Sequence, residues 1–372
     1  MTKITDFSYV GLLILAVILS WVLPIRMQTG GIAICMIVFL ILVSPISLGI
    51  LLVSSVIIYY LVNVGDTKSS VFISLIAGIA AILFYFKLYA AISTRMVILP
   101  IGISYYSFRQ IHYIFEKYKK TISGDKFYDF MSYMFFFPTL LVGPISRYDR
   151  FLRDVNRRRW DTAKFSEGLE RILIGYFKVI FLGDFLFTKI FHTLELKVIQ
   201  YKLLAIYLRA IGDWINLYMI FSGYSDVAIG FGLLCGFTVM ENFNFPFLST
   251  NVIDYWSRWH ISLSNWVRDY VYYPIASKTK RHMLGIFIAM IIIGVWHEFT
   301  LQFLLWGIYH SIGIVYGHSI SRLKLETKIK AYNISVLRYG YTFVSILLTI
   351  SFVSLSFPIT EYLSDRIIGF LG

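Results

Sequence analysis

The chain has 372 residues, 58% of them hydrophobic, 18% aromatic and only 15% charged, whereas soluble globular chains carry nearer a quarter charged residues. Several apolar runs reach the ~20 residues that a helix needs to cross a bilayer, and they are continuous, not alternating, which argues against a β-barrel. The net charge of +13 is concentrated in loops with no soluble domain to carry it, which argues against nucleic acid as a partner.

The expected fold class is an all-α polytopic membrane protein with ten or eleven spans. The candidate runs are 7–23, 31–44, 46–62, 71–92, 98–115, 128–145, 166–191, 200–220, 222–240, 284–316 and 337–357. The first, Phe7 to Leu23, follows Lys3 like a signal peptide but has no small-residue cleavage site before Pro24, so it is expected to be retained. Pro45 divides or kinks the stretch 31–62. Cys35 and Cys235 both fall inside apolar runs, which speaks against a disulfide framework or a cysteine metal site. The 284–316 run would be ~50 Å long at 1.5 Å per residue, against a ~30 Å hydrocarbon core. It must tilt, break or extend past the membrane.

Basic residues gather in three places: Lys117, Lys119, Lys120 and Lys126; Arg147, Arg150, Arg153, Arg157, Arg158, Arg159 and Lys164; and Lys278, Lys280 and Arg281. Positive-inside topology and attraction to anionic membrane lipids account for such clusters. A site for an anionic, phosphate-bearing donor is a second reading, and the two are compatible.

Three stretches resist assignment as simple spans. "FFFPTLLVGPISRYDRF" (135–151) is apolar, then broken at Gly143-Pro144, then basic. "FSGYSDVAIGFG" (221–232) places Asp226 in an apolar run. "ENFNFPFLSTNVIDYWSRWHISLSNWVRDYVYYPI" (241–275) is too polar to face lipid and too aromatic for a solvated loop. Polar or irregular backbone at membrane depth is tolerated only where protein or a water-filled cavity surrounds it. A polar tunnel ringed by helices, with re-entrant or interfacial segments, is the expected arrangement. No internal repeat or linker divides the chain, so 1–372 reads as a single integral-membrane domain.

"IIIGVWHEFTLQFLLWG" (291–307) sets His297 and Glu298 side by side in an apolar run, a costly placement without a partner or a job. On this residue alone, a histidine bonded to a neighbouring helix and a reactive imidazole are both open. Glu298 would point ~100° away around a helix, and His310 reads as a packing or interfacial histidine. In "YWSRWHISLSNWVRDY", a continuous helix would align Trp256, His260 and Ser264 at i, i+4 spacing, with Arg258, Arg268 and Asp269 around them. That element reads either as an interfacial amphipathic helix or as a helix offering His260 to the reactants of His297. The two histidines lack metal-ligand spacing and no HExxH occurs, so no metal is expected. No GxSxG, P-loop or GxGxxG pattern stands in a convincing context. What remains is acid–base chemistry: neutral imidazole taking a proton from an alcohol as it attacks a thioester carbonyl, with water excluded.

These motifs resemble, in order, those of the membrane-bound O-acyltransferases (the MBOAT superfamily), specifically the bacterial branch that modifies cell-surface glycans. The similarity runs over 98–316 through "LPIGISYYSFRQIHYIFEKY", the 135–151, 221–237 and 241–275 stretches, and "GVWHEFTLQFLLWGIYH". The resemblance implies that His297, in the later Trp-His pair, is the catalytic base. It implies that His260, in the earlier pair, is a second catalytic group, orienting or oxyanion-stabilising. Asp226, Asn242, Arg258, Ser264, Arg268 and Glu298 are implied as substrate-binding or framework residues. Glu298 stands where this branch usually has glycine, which leaves the acceptor open.

The implied activity is transfer of an acyl group, acetyl first, across the bacterial cytoplasmic membrane. The co-substrate is acetyl-CoA or another acyl thioester, and no cofactor is expected to stay bound. The acceptor is a hydroxyl of an extracytoplasmic polysaccharide or lipopolysaccharide, reached directly or through a partner extracytoplasmic transferase. D-alanyl transfer from a carrier protein to teichoic acid is the alternative within the family. A proton-coupled transporter using Asp226, His260, His297 and Glu298 is the alternative outside it, against which stands the absence of an inverted repeat.

Overall fold

A computed structural model describes residues 7–63, 68–92, 99–322 and 335–371. These residues are mostly helical, without strands among them, as an all-α polytopic membrane protein requires. Four described segments are long and apolar enough to cross a bilayer: Pro45–Asn63, Ser69–Ala90, Lys202–Leu234 and Tyr339–Phe370. Ser8–Val22, Gln28–Val43 and His282–His297 are shorter apolar helices.

The elements in chain order are α1 (Phe7–Val22), α2 (Gln28–Val43), α3 (Pro45–Asn63), α4 (Ser69–Ile92), α5 (Ile103–Tyr118), α6 (Phe127–Met134), α7 (Tyr148–Arg157) and α8 (Thr162–Tyr176). A π-helical stretch, Phe177–Phe187, leads into α9 (Thr188–Lys197) and α10 (Lys202–Leu234). There follow α11 (Val252–Arg258), α12 (Ile261–Val267), a π turn at Arg268–Tyr272, α13 (Tyr273–Thr279), α14 (His282–His297) and α15 (Leu301–Arg322). The described chain closes with the helices Ser335–Ser354 and Ser356–Leu371.

The runs 200–220 and 222–240, expected as two spans, form one helix, α10. The sequence between them holds no proline, and the one glycine near their junction, Gly223, lies inside the helix. The run 128–145 goes the other way. Helix α6 stops at Met134, a single 3-10 turn follows at Phe137–Thr139, and the rest is irregular. Gly143-Pro144 is a breaker, as read from the sequence, and Pro138, at the start of the 3-10 turn, is a second. The 284–316 run breaks into α14 and α15.

Two compact units emerge, Met1–Tyr176 with Gly223–Glu241, and Phe177–Ser222 with Asn242–Gly372. In the first, the irregular backbone after α6 is satisfied by Arg109 of α5, which is 1% exposed. Its guanidinium donates to the carbonyl of Tyr133 at 2.8 Å and to Thr139 Oγ1 at 2.6 Å. A buried cation is thus held by carbonyl dipoles, and orphan carbonyls find a donor. Tyr9, Phe39 and Phe137 pack ring to ring beside that turn.

The second unit is built on the α14–α15 hairpin and an aromatic core. Trp259 lies against Trp214, Phe243 and Tyr255, with ring centroids 5.1–5.6 Å apart. The hairpin closes through glycine: a Cβ on Gly294 would fall 2.2 Å from the Phe303 carbonyl oxygen, and one on Gly307 2.6 Å from that of Met290. Small residues at such points let two membrane helices approach backbone to backbone. Gly294 lies one turn before His297, so this contact fixes the end of α14. Gly294→Ala should therefore destabilise the fold by about 1–3 kcal/mol through overpacking. Thermal melting in detergent will show a lowered midpoint for Gly294→Ala and none for Gly49→Ala, where the added methyl meets open space.

Candidate active site

His297 is the last residue of α14, and Glu298 leaves the helix in extended conformation (φ −154°, ψ 142°). The pair expected in the middle of an apolar span therefore sits at a helix break, and both residues are exposed. Thr300 restarts the chain as α15, its Oγ1 accepting the Phe303 N–H at 3.4 Å. The His297 ring is bounded by Trp296, Phe303 and Trp306, at 4.6, 6.0 and 5.7 Å between centroids. His310 is fully buried, stacked at 4.5 Å on Trp306 and accepting the Trp256 indole N–H at 3.3 Å. It is a packing residue.

The i, i+4 stripe through Trp256, His260 and Ser264 does not form. Helix α11 ends at Arg258 and α12 begins at Ile261; between them His260 has φ 44°, ψ 51°, in the left-handed region. The reason is a tertiary contact. Asn242, wholly buried, uses its side-chain oxygen to accept the Ser262 N–H (3.2 Å), the Ser262 hydroxyl (2.8 Å) and His260 Nδ1 (3.1 Å). Its main-chain carbonyl also accepts the Ile261 N–H at 2.9 Å. These bonds satisfy the elbow between two short helices at the cost of one unfavourable dihedral pair.

The same bonds fix the tautomer of His260. A backbone N–H can only donate, so the Ser262 amide requires the Asn242 oxygen, not its NH₂, to face the elbow. His260 Nδ1 must then carry the proton. Nε2 keeps its lone pair and has no hydrogen-bond partner among the described residues. The ring is 3% exposed, and burial, with a lesser effect from nearby His297, pushes its pKa down to about 3. His260 is thus a neutral acceptor at physiological pH. Trp296 bridges the two histidines, its ring 6.4 Å from that of His260 and adjacent to that of His297. Phe221 closes the other side of His260 at 4.8 Å.

The remaining expected residues are structural in their contacts. Arg258 donates from Nε to Asp254 at 2.8 Å and from Nη1 to the Asn244 carbonyl at 3.5 Å. The Ser264 hydroxyl bonds the Trp259 carbonyl at 3.2 Å. Arg268 opens the π turn, its Nε 3.4 Å from Asp269 and its guanidinium 6.0 Å from the Tyr273 ring. Asp226 lies in the first unit, 4% exposed, and pairs with Arg171 of α8 at 2.5 Å; Arg171 also bonds Glu241. An acid held by a guanidinium is a poor proton carrier, which weakens the transporter reading. Arg171, Glu241, Ser262 and Trp306 were not singled out from the sequence. Arg171 could have been, since a buried acid in an apolar helix calls for a cation.

The helical fold and the two Trp-His elements define a membrane protein with paired histidines at breaks in its helices. The chain belongs to the membrane-bound O-acyltransferase (MBOAT) family, whose model matches residues 72–357. It is 35% identical over 256 residues to the probable alginate O-acetylase AlgI of Pseudomonas fluorescens, covering 68% of this chain and 50% of that protein. It is 31% identical over 228 residues to the teichoic acid D-alanyltransferase of Bacillus subtilis, covering 57% of each. It is 26% identical over 300 residues to the peptidoglycan O-acetyltransferase of Helicobacter pylori, covering 71% of this chain and 54% of that protein. The chain spans about half the length of the curated relatives it matches.

Two outcomes test this geometry. Because the unfolded His260 titrates near 6.5 and the folded one near 3, the unfolded state binds the extra proton between those values. Stability is then full above pH 6.5 and falls as the pH drops, by up to about 1.4 kcal/mol per pH unit. Melting midpoints should decline more steeply below pH 6.5 for the wild type than for His260→Gln. For the half-buried Arg171–Asp226 pair, Arg171→Met should destabilise by about 1–3 kcal/mol by stranding the buried Asp226, and Arg171→Met/Asp226→Leu should recover most of it. The same melting assay reads both.

Proposed function

We propose that the protein is an O-acyltransferase of the bacterial cytoplasmic membrane, crossing it several times. It moves an acyl group, acetyl first, from a cytoplasmic thioester such as acetyl-CoA to a hydroxyl of an extracytoplasmic polysaccharide or lipopolysaccharide. The observation that carries this reading is the pairing, across Trp296, of an accessible His297 with a buried, neutral His260. The names of the relatives support glycan or envelope polymer as the acceptor class; two of them name O-acetyl transfer and one D-alanyl transfer.

In this mechanism His297 takes the proton of the acceptor hydroxyl as its oxygen attacks the thioester carbonyl. The new C–O bond forms, the C–S bond breaks, and the departing thiolate takes the proton back from the imidazolium. His260 contributes as an acceptor: its Nε2 lone pair can take a hydrogen bond from a second, non-reacting hydroxyl of the acceptor sugar and so hold the attacking oxygen in line. Donation to the oxyanion would need a proton at Nε2, which burial and the Asn242 contact disfavour. That stabilisation falls to backbone N–H or hydroxyl donors. A relay through a separate extracytoplasmic transferase fits the same chemistry.

The test is complementation. In a strain lacking the gene, mass spectrometry of the envelope glycans should show loss of O-acyl groups, restored by the wild type. His297→Ala should restore none, with transfer reduced at least ~100-fold. Equal rescue by His297→Ala would overturn the assignment. An alanyl mass increment in place of acetyl would move the activity to the D-alanyl class.

A further inference from the structure

Beyond the histidine site, the first unit contains a cavity of about 540 Å³ at the junction of α7 and α8. It is lined by Arg157, Arg158, Arg159 and Lys164 with Asp154, Asp161 and Gly236. Cations outnumber acids by four to two, and both acids also accept backbone N–H groups. Asp154 accepts the Thr238 N–H at 2.9 Å, and Asp161 accepts the Ala163 and Lys164 N–H groups at 3.0 and 3.3 Å. Arg158 forms the wall: it stacks on Trp21, 4.5 Å from the ring centroid, and bonds the Ser20 carbonyl. Arg157 and Arg159 are exposed and have no ion-pair partner among the described residues, while Lys164 hydrogen-bonds the Thr238 hydroxyl at 3.4 Å and lies within electrostatic reach of Asp154.

Arginine placed to favour the carbonyl end of α7 explains Arg157 alone. It does not explain the further cations around the same hollow, four against two carboxylates, whose mutual repulsion a bound anion would relieve. Guanidinium forks match phosphate oxygens in pairs. The volume falls in the range of small-molecule sites and exceeds what a bare phosphate needs. Trp160, 53% exposed and edge-on to Trp21, adds an aromatic surface beside the arginines.

We propose that this cavity binds a phosphate ester, with Arg157, Arg159 and Lys164 supplying the charge against the wall formed by Arg158. Two sources share that chemistry: a soluble nucleotide phosphate, such as the one carried by a coenzyme thioester, and an anionic lipid headgroup. The site does not depend on the acyl-transfer reading, because its test measures binding without turnover.

The full-length protein is placed in phosphatidylcholine nanodiscs and titrated with adenosine 3′,5′-bisphosphate by calorimetry. In a parallel arm, nanodiscs containing a minority of phosphatidylglycerol are examined by native mass spectrometry for lipid retained on the protein. Arg157→Gln/Arg159→Gln is compared with the wild type, and Lys164→Gln serves if the double variant fails to fold. At least one probe should bind the wild type about tenfold more tightly than the variant, and added salt should narrow the gap. Preference for the bisphosphate assigns a soluble ligand, and preference for phosphatidylglycerol a lipid. Equal binding of both probes to the wild type and to a folded variant overturns the proposal.

Discussion

One amide oxygen organises the second unit's candidate site. Asn242 Oδ1 receives a backbone N–H, a hydroxyl and an imidazole N–H from a single elbow. Losing it would strand several buried donors at once, each at about 1–3 kcal/mol. The elbow's backbone, the proton position on His260 and the short helices on either side all follow from that acceptor. Its position holds a neutral lone pair in an aromatic setting, where water would otherwise compete for it.

Around that point the two histidines are treated differently. His260 is enclosed and locked, while His297 ends a helix and stays accessible. A proton-transfer group must meet its substrate, and an orienting group must not move. The contrast in exposure suits that division of labour. The Trp296 ring between them gives both imidazoles a rigid neighbour.

Much of this was legible in the sequence, for a physical reason. Long apolar runs leave helix as the structure that satisfies its own backbone in lipid. Gly143-Pro144 announced the irregular stretch after α6. The Trp-His pairs marked where polar groups sit among apolar neighbours. What escaped was set by tertiary hydrogen bonds between distant residues. Within 255–270 a continuous helix stayed open, because nothing local reveals that Asn242, eighteen residues before His260, satisfies an elbow there. The end of α14 was hidden likewise, since Trp296-His297-Glu298 contains no helix breaker. Asp226 looked like a candidate for chemistry until its partner, 55 residues away on α8, came into view.

The left-handed backbone at His260 carries a consequence for which sequences this scaffold can accept. Side chains branched at Cβ are sterically penalised there, and glycine, asparagine, aspartate and histidine are the residues that enter the region with least penalty. Of these, glycine offers no side-chain lone pair, and a carboxylate would bring net charge into an apolar enclosure. Backbone shape and side-chain chemistry together make an imidazole or a carboxamide the best match at this position. Any laboratory redesign of the elbow must therefore begin from those two.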